Sequence, residues 1–454
     1  MGYLEDAYQR IMENHPGEPE FGRTVWEVFS SARPVIEKNE KWFREAAVLE
    51  RLAEPERSIF FRVPWVDDTG RLQINRGWRI QFSSAIGPYK GGIRFRDTVN
   101  ASNLKQAAFE QVLKNALTGL PIGGAKGGSD FDRRGKSERE IMAFCHSFMQ
   151  ELHKYTGESI DILTADFGAG AAEVGYLYGT YKRLTGAHEG AMTGKGLSFG
   201  GTLVRPQACG YGVVYSLEAM LRQNGLELEG KRAVISGSGK VALHAAEKLE
   251  ALGARVVALS DSDGFIYDNH GIRLDVVRSI KQEIREGFWG RLKDYEKLVS
   301  GSVYTEGHGI WTLPCDLALP CAVSQEIDEN EVRLLMKHGC LAIAEGALDP
   351  LTLRAQQLLF KQSQNAGKPL LYMPGKAANI GGVVMSTLEM VQNRGKHTWS
   401  FAEAEEALKQ GMNRVVLNCA QAAASYGKTG DYLAGANIYA FEKVTEAIWR
   451  QGYI

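Results

Sequence analysis

Arg232-Ala233-Val234-Ile235-Ser236-Gly237-Ser238-Gly239-Lys240-Val241-Ala242 is the stretch that decides the fold. Arg232 to Ser236 reads as a short buried strand, Gly237-Ser238-Gly239 as a tight turn, and Lys240-Val241 as the opening of a helix that runs to about Leu252. Ala254 to Leu259 is the next strand and ends at Ser260-Asp261. Strand, glycine turn, helix, strand is the start of a doubly wound α/β domain, and Leu317-Ala318-Leu319 and Leu341 to Ala344 supply further strand candidates. The turn lets backbone amides meet a pyrophosphate at the positive end of the helix. Asp261 stands where an acid binds a ribose hydroxyl and repels a 2′-phosphate, whereas Ser260 and Ser262 beside it can donate to that phosphate. NADP and NAD both stay open at this point. The bland alternative, a glycine-rich turn that binds nothing, fits poorly with a strand before the turn and an acid after the next one.

Upstream, two glycine-rich segments each carry a lysine: Gly87-Pro88-Tyr89-Lys90-Gly91-Gly92 and Gly123-Gly124-Ala125-Lys126-Gly127-Gly128-Ser129. Glycine lets a ligand approach the main chain closely. A lysine there acts as a compact cation for a carboxylate, or as an amine whose pKa falls when it is buried near other cations. Either segment alone would pass for a surface turn. Both together, with Lys114 and Asp166 in the same region, point to a site. Between them the spacing predicts a helix from about Ala101 to Leu117, with Gln111 and Lys114 on one face. Phe60 to Val66 and Trp78 to Phe82 read as strands, and Ser137 with Glu140 reads as a helix-starting capping box.

The bulk numbers set the class around these features. The chain has 454 residues, 44% of them hydrophobic and 24% charged, which is enough for two globular domains. A net charge of −1 gives no electrostatic pull towards nucleic acid or a membrane surface. No apolar run reaches membrane-spanning length, and the first residues lack the basic start and apolar run of a signal peptide. The cysteines show no C-x-x-C pair and no ligand spacing with histidine, so no metal is expected; they read as free thiols in a reducing cytoplasm.

Arg57 to Asp68, Asn75 to Phe95, Gly127 to Ser137, Thr193 to Gly201, Pro374 to Glu389 and Gly435-Ala436-Asn437-Ile438 together resemble the glutamate dehydrogenases, specifically the hexameric bacterial and fungal NADP-linked type. The resemblance covers nearly the whole chain. It implies an α/β protein in which a mixed-sheet substrate and oligomerisation domain (1–200, with C-terminal helices 425–454) accompanies a Rossmann-like dinucleotide-binding domain (201–424). It also implies a cytoplasmic homohexamer acting on glutamate, 2-oxoglutarate and ammonium with NADP, or alternatively NAD. Residue by residue, Lys90 and Ser386 match the pair that holds the side-chain carboxylate of glutamate, and Gln111 and Lys114 those that hold its α-carboxylate. Lys126 and Asp166 match the catalytic lysine and acid/base, while Gly91, Thr193 and Val383 match pocket-lining positions. Gly237, Ser238, Gly239, Lys240, Val241, Ser260, Asp261, Ser262 and Asn379 fall to the cofactor. The mechanism implied is hydride transfer from Cα of glutamate to leave an iminium, which water activated by Lys126 attacks while Asp166 carries the proton of the nitrogen.

Several residues depart from the family pattern. Leu163-Thr164-Ala165 stands where Pro-Ala-Gly is usual, Ala172 where Arg is usual, and Ala125 where Gly is usual, with strain expected if that position needs positive φ. Lys240 replaces Asn, and Leu348 replaces Asn in Glu345-Gly346-Ala347-Leu348. These departures open an alternative: a divergent paralogue that binds glutamate or a related dicarboxylic amino acid with altered or no dehydrogenase activity.

Overall fold

The computed structural model describes residues 2–282, 284–285, 288–365 and 370–452. The ends of the expected 425–454 segment (453–454), and positions 283, 286–287 and 366–369 of the expected 201–424 domain, lie outside the described residues. The chain forms two compact units: Met1–Leu203 with Met385–Ala404 and Asn437–Ile454, and Val204–Val384 with Glu405–Ala436. The C-terminal part thus divides differently from the expected 425–454 block. Residues 385–404 join the first unit because the helix Gly381–Gly395 carries Glu389, which is buried against Lys195 there. Residues up to Ala436 stay with the second unit, where the Tyr432 hydroxyl donates to Gln223 Oε1 at 2.9 Å.

The first unit is built on a mixed six-stranded sheet of Arg57–Val66 (β1), Leu72–Ser83 (β2), Tyr89–Phe95 (β3), Gly124–Ser129 (β4), Asp161–Ala165 (β5) and Met192–Thr193 (β6). Its order is β1-β2-β4-β3-β5-β6, with β1–β2 and β2–β4 antiparallel and the remaining pairs parallel. Period-2 alternation sends Phe61, Val63 and Trp65 into a core shared with Phe95, Phe131, Phe144 and Phe148, and leaves Phe60, Val66, Leu72 and Ile74 exposed. Each buried ring contributes about 2 kcal/mol of transfer free energy. The opposite face is covered by the helix Ala101–Leu117, started by an Asn100–Asn103 capping box. N-terminal helices pack there through Phe21 and Phe29, which meet the Phe109 ring edge-on.

The second unit holds a seven-stranded sheet of Arg232–Ile235 (β7), Arg255–Ser260 (β8), Gly264–Tyr267 (β9), Val303–Glu306 (β12), Leu317–Leu319 (β13), Ala342–Ala344 (β14) and Leu371–Met373 (β15); Ile284–Arg285 (β10) and Phe288–Trp289 (β11) form a separate short hairpin. The order is β12-β9-β8-β7-β13-β14-β15, parallel from β8 to β15. Near-continuous apolar runs such as Leu317-Ala318-Leu319 suit strands covered on both faces. The first parallel strand, β7, lies between β8 on one side and β13 on the other. Strand order therefore reverses at the end of β7, where an open α/β sheet leaves a crevice. No helix among the described residues is long and apolar enough to cross a membrane.

Candidate active site

The two lysine segments are strands rather than loops. Lys90 lies in β3 and Lys126 in β4, and the glycines serve close approach between backbones. A Cβ on Gly91 would stand 1.6 Å from the carbonyl oxygen of Ala125, a clash that only glycine avoids. Parallel register pairs Lys90 with Ile162 and Gly92 with Thr164. Alternation then puts Lys90, Gly92 and Arg94 on the same face as Ile162, Thr164 and Asp166.

On that face Lys126 Nζ donates to Asp166 Oδ2 at 2.7 Å, and Arg94 Nε donates to the same oxygen at 3.2 Å. Burial holds the Lys126 ammonium below the usual lysine range; pairing with Asp166 opposes this, and the nearby charges of Arg94 and Lys114 add to the lowering. For Asp166, burial pushes the carboxyl up, but Lys126 and Arg94 outweigh it and leave it below the usual range. The result is an ion pair held in direct contact, with Lys126 buried and Asp166 partly exposed beside it. Sequence reading passes over Arg94, although its period-2 spacing from Lys90 is the signal that would find it.

Lys90, 2% exposed, donates from Nζ to Thr193 Oγ1 at 3.3 Å. Beneath it the fully buried Arg79–Asp161 pair fixes the strand, because Arg79 Nη1 also donates to the Gly91 carbonyl at 3.2 Å. Glu389 accepts from Gly194 N at 2.8 Å and from Lys195 Nζ at 2.9 Å, so the segment carrying Thr193 is tied to the helix carrying Ser386. Ser386 is buried in that helix, well inside it rather than at its cap. Gln111 Nε2 donates to Asn115 Oδ1 at 2.8 Å, and Lys114 stands half-buried on the same helix. Val383, three positions before Ser386, belongs to the second unit.

Within the second unit a cavity of about 1160 Å³ opens at the end of β7. It is lined by Gly237 to Lys240, Ser260 to Ser262, and the basic side chains of Arg278, Lys281 and Arg291. Gly237 has φ +84°, which the turn requires, and its N–H donates to Ser260 Oγ at 2.8 Å. Lys240 is exposed at the first position of the helix Lys240–Ala251, with Val241 next to it. The Asp261 carboxylate is already engaged: it accepts from Leu292 N at 2.9 Å and Lys281 Nζ at 3.0 Å through one oxygen, and from Asp263 N at 3.1 Å through the other. Ser262 Oγ accepts from Arg291 Nη1 at 2.7 Å. Ser262 is thus held between Arg291 and Asp263, to whose Oδ1 its hydroxyl donates at 3.1 Å, and Asp261 has little left to offer a ribose hydroxyl. Asn379 Nδ2 donates to the Gly346 carbonyl at 2.7 Å.

Three of the departures, Ala125, Leu163 and Leu348, leave these arrangements undisturbed. Ala125 is not among the positive-φ residues and sits buried in β4, so the expected strain is absent. Leu163 joins the apolar core of the first unit. Leu348 is 64% exposed, and the polar group buried nearby is Glu345, which accepts from the Tyr372 hydroxyl at 2.7 Å and from Gly375 N at 2.5 Å.

A dinucleotide cradle in one unit, and in the other a desolvated amine–carboxylate pair among cations, equip the chain as a dehydrogenase of a charged amine or its oxo acid. Comparison with known proteins narrows the class. The family model Glutamate/Leucine/Phenylalanine/Valine dehydrogenase matches residues 200–452, and Glu/Leu/Phe/Val dehydrogenase, dimerisation domain, matches residues 55–183. The NADP-specific glutamate dehydrogenase of Escherichia coli (strain K12) is 46% identical over 454 residues, covering 99% of each chain. The NAD(P)-specific glutamate dehydrogenase of Xylanibacter ruminicola is 45% identical over 451 residues, covering 98% of this chain and 99% of its own. Among solved structures, Plasmodium falciparum glutamate dehydrogenase 2 aligns with a TM-score of 0.93 at 42% identity, covering 99% of this chain and 96% of its own. The chain belongs to the glutamate/leucine/phenylalanine/valine dehydrogenase family.

Proposed function

We infer that this protein is an NADP-dependent glutamate dehydrogenase, interconverting L-glutamate with 2-oxoglutarate and ammonium. The observation that carries the reading within this family is the Lys126–Asp166 pair beside Arg94 and Lys114, on the sheet face that also carries Lys90. A dicarboxylate needs separated cationic anchors, and a buried Lys90 penalises any substrate that leaves it unpaired. Lys90 and Ser386 hold the side-chain carboxylate, with Thr193 lining the pocket beside Lys90; Gln111 and Lys114 hold the α-carboxylate. Substrate work belongs to the first unit and dinucleotide work to the second.

The second unit fits NADP on its own geometry. The Gly237 turn would present amides to a pyrophosphate, and the half-exposed Arg291 guanidinium beside Ser262 would offer positive charge to a 2′-phosphate. When bound, NADP supplies the hydride acceptor for glutamate oxidation. Lys126, held towards its neutral form by burial, takes a proton from the water that attacks the iminium carbon and then stabilises the carbinolamine oxygen. Asp166, within hydrogen-bond reach of Lys126, carries the proton to and from the substrate nitrogen.

The same reading includes a cytoplasmic homohexamer serving ammonium assimilation. The exposed apolar face at Phe60, Val66, Leu72 and Ile74 supports assembly, and the six free cysteines suit a reducing compartment. The divergent-paralogue alternative draws no support from the site. Oxidation of NADPH by the purified protein with 2-oxoglutarate and ammonium, with an Asp166→Ser control, tests the assignment. Turnover that survives the substitution, or no turnover from the folded wild type, overturns it.

A further inference from the structure

Asn115 is fully buried, lies outside the set of residues expected to bind substrate, and makes three hydrogen bonds to three parts of the site. Its Nδ2 donates to the carbonyl oxygen of Lys90 at 3.0 Å and to that of Gly123 at 2.5 Å; its Oδ1 accepts from Gln111 Nε2 at 2.8 Å. The two carbonyls belong to the segments that carry Lys90 and Lys126, and Gln111 is an anchor for the opposite end of the substrate.

The polarity of this network is forced. Two carbonyl oxygens face one end of the Asn115 amide, so that end must be the NH2 group. The amide oxygen then faces Gln111, which must answer with an N–H. Gln111 is left with its second N–H free to point at a carboxylate. One side chain thereby orients the anchor for one carboxylate and pins the backbone of the anchor for the other. Aspartate would turn an oxygen towards both carbonyls, and alanine would leave two buried acceptors without a donor, each a penalty of the kind a well-packed interior rarely tolerates.

We propose that Asn115 is a positioning residue that fixes the separation of the two carboxylate anchors and so sets the length of dicarboxylate the enzyme accepts. The proposal rests on the glutamate dehydrogenase reading. The helix Ala101–Leu117 and strand β3 meet through this amide, so its loss lets Gln111 and Lys90 shift relative to one another. A site built for one substrate length distinguishes a single methylene by about 10-fold or more, and that discrimination depends on fixed anchors.

The test measures kcat and KM for reductive amination of the four-, five- and six-carbon 2-oxo dicarboxylates by the full chain, with ammonium and NADPH. Wild type is compared with Asn115→Ala, with Asn115→Ser, which leaves room for water on the two carbonyls, and with Leu117→Ala. Leu117 is equally buried on the same helix, so its truncation reports packing loss alone. The expected result is that Asn115→Ala narrows the preference for the five-carbon acid by about 10-fold, chiefly through KM. Asn115→Ser falls in between, and Leu117→Ala lowers Tm with the preference intact. A folded Asn115→Ala protein that keeps the wild-type preference, or one changed only as Leu117→Ala is, overturns the proposal. If the alanine variant aggregates, the serine variant is judged by the same criteria. An inactive wild type would instead overturn the functional reading itself, which separates the two failures.

Discussion

The two sheets of this molecule keep their charges in opposite places. In the first, charge is inside: Lys90 and Lys126 are buried in strands, over an Arg79–Asp161 pair with no exposed side-chain surface. In the second, β7, β13 and β14 are almost wholly apolar, and the cations stand at the rim of a cavity, with Lys240 exposed and Arg278 and Arg291 half-exposed. The difference follows from what each has to recognise. A small dicarboxylate offers two charges, and discrimination against an apolar analogue requires anchors that lose much when left unpaired. A dinucleotide is large, and backbone amides with a few screened rim charges suffice to place its phosphates. Substitutions should therefore be drastic in the first region and graded in the second.

Lys126→Ala should have the largest effect. Removing the amine deletes the group that activates water and leaves Asp166 with Arg94 as its nearest cation, so kcat should fall about 1,000-fold or more while the protein stays folded. Steady-state NADPH oxidation checks this, with circular dichroism for the fold. Activity above a tenth of wild type would mean that the buried pair is structural.

Lys90→Met comes next. It exchanges a buried cation for an apolar side chain of similar length, so kcat/KM for 2-oxoglutarate should drop about 100-fold or more, while the monocarboxylate 2-oxovalerate should gain relative to it. If both substrates lost activity equally, the contrast between discriminating interior charge and tolerant rim charge would fail at its centre.

Arg291→Ser probes the rim. Loss of one half-exposed guanidinium beside Ser262 should raise KM for NADPH by about 10-fold and leave NADH almost unaffected, with the gap shrinking as salt is added. An equal rise for both nucleotides would move the 2′-phosphate elsewhere in the cavity.

The same contrast explains which features the sequence discloses. The strand, turn and helix around Gly237 and the helix Ala101–Leu117 are carried by local periodicity and glycine, so their residues alone predict them. Lys90 and Lys126 stand out as lysines among glycines, but their place in strands does not. Glycine is a poor strand former, and only the close approach of neighbouring backbones, as at Gly91 and Ala125, puts it there. Asn115, Arg79 and Glu389 become visible only when partners far apart in sequence meet: the Lys90 carbonyl, Asp161 and Lys195. Asp261 teaches the reverse lesson. Its position after β8 suggests a ribose ligand, yet bonds from Leu292 and Lys281 consume it, and nothing local signals them.

The smallest effect tests Glu345, a carboxyl buried just after β14 in the second sheet. Burial pushes the Glu345 carboxyl up from 4.5 to about 7, against the hydrogen bonds from Gly375 N and the Tyr372 hydroxyl that favour its charged form. Because the folded pKa exceeds the unfolded one, the fold prefers the protonated acid. The contribution is fully present below about pH 4.5 and is lost as pH rises through about 7. Glu345→Gln mimics the protonated form at every pH: its oxygen can still accept from Gly375 and its NH2 can donate to Tyr372. Thermal melts should therefore show wild type and variant alike at the acid end of that window and the variant more stable at the upper end, by about 3 °C. A wild-type protein whose advantage over the variant grows with pH would show that the carboxylate is stabilised in place. Buried charge would then be as native to the second unit as to the first, and the contrast between them would rest on the rim alone.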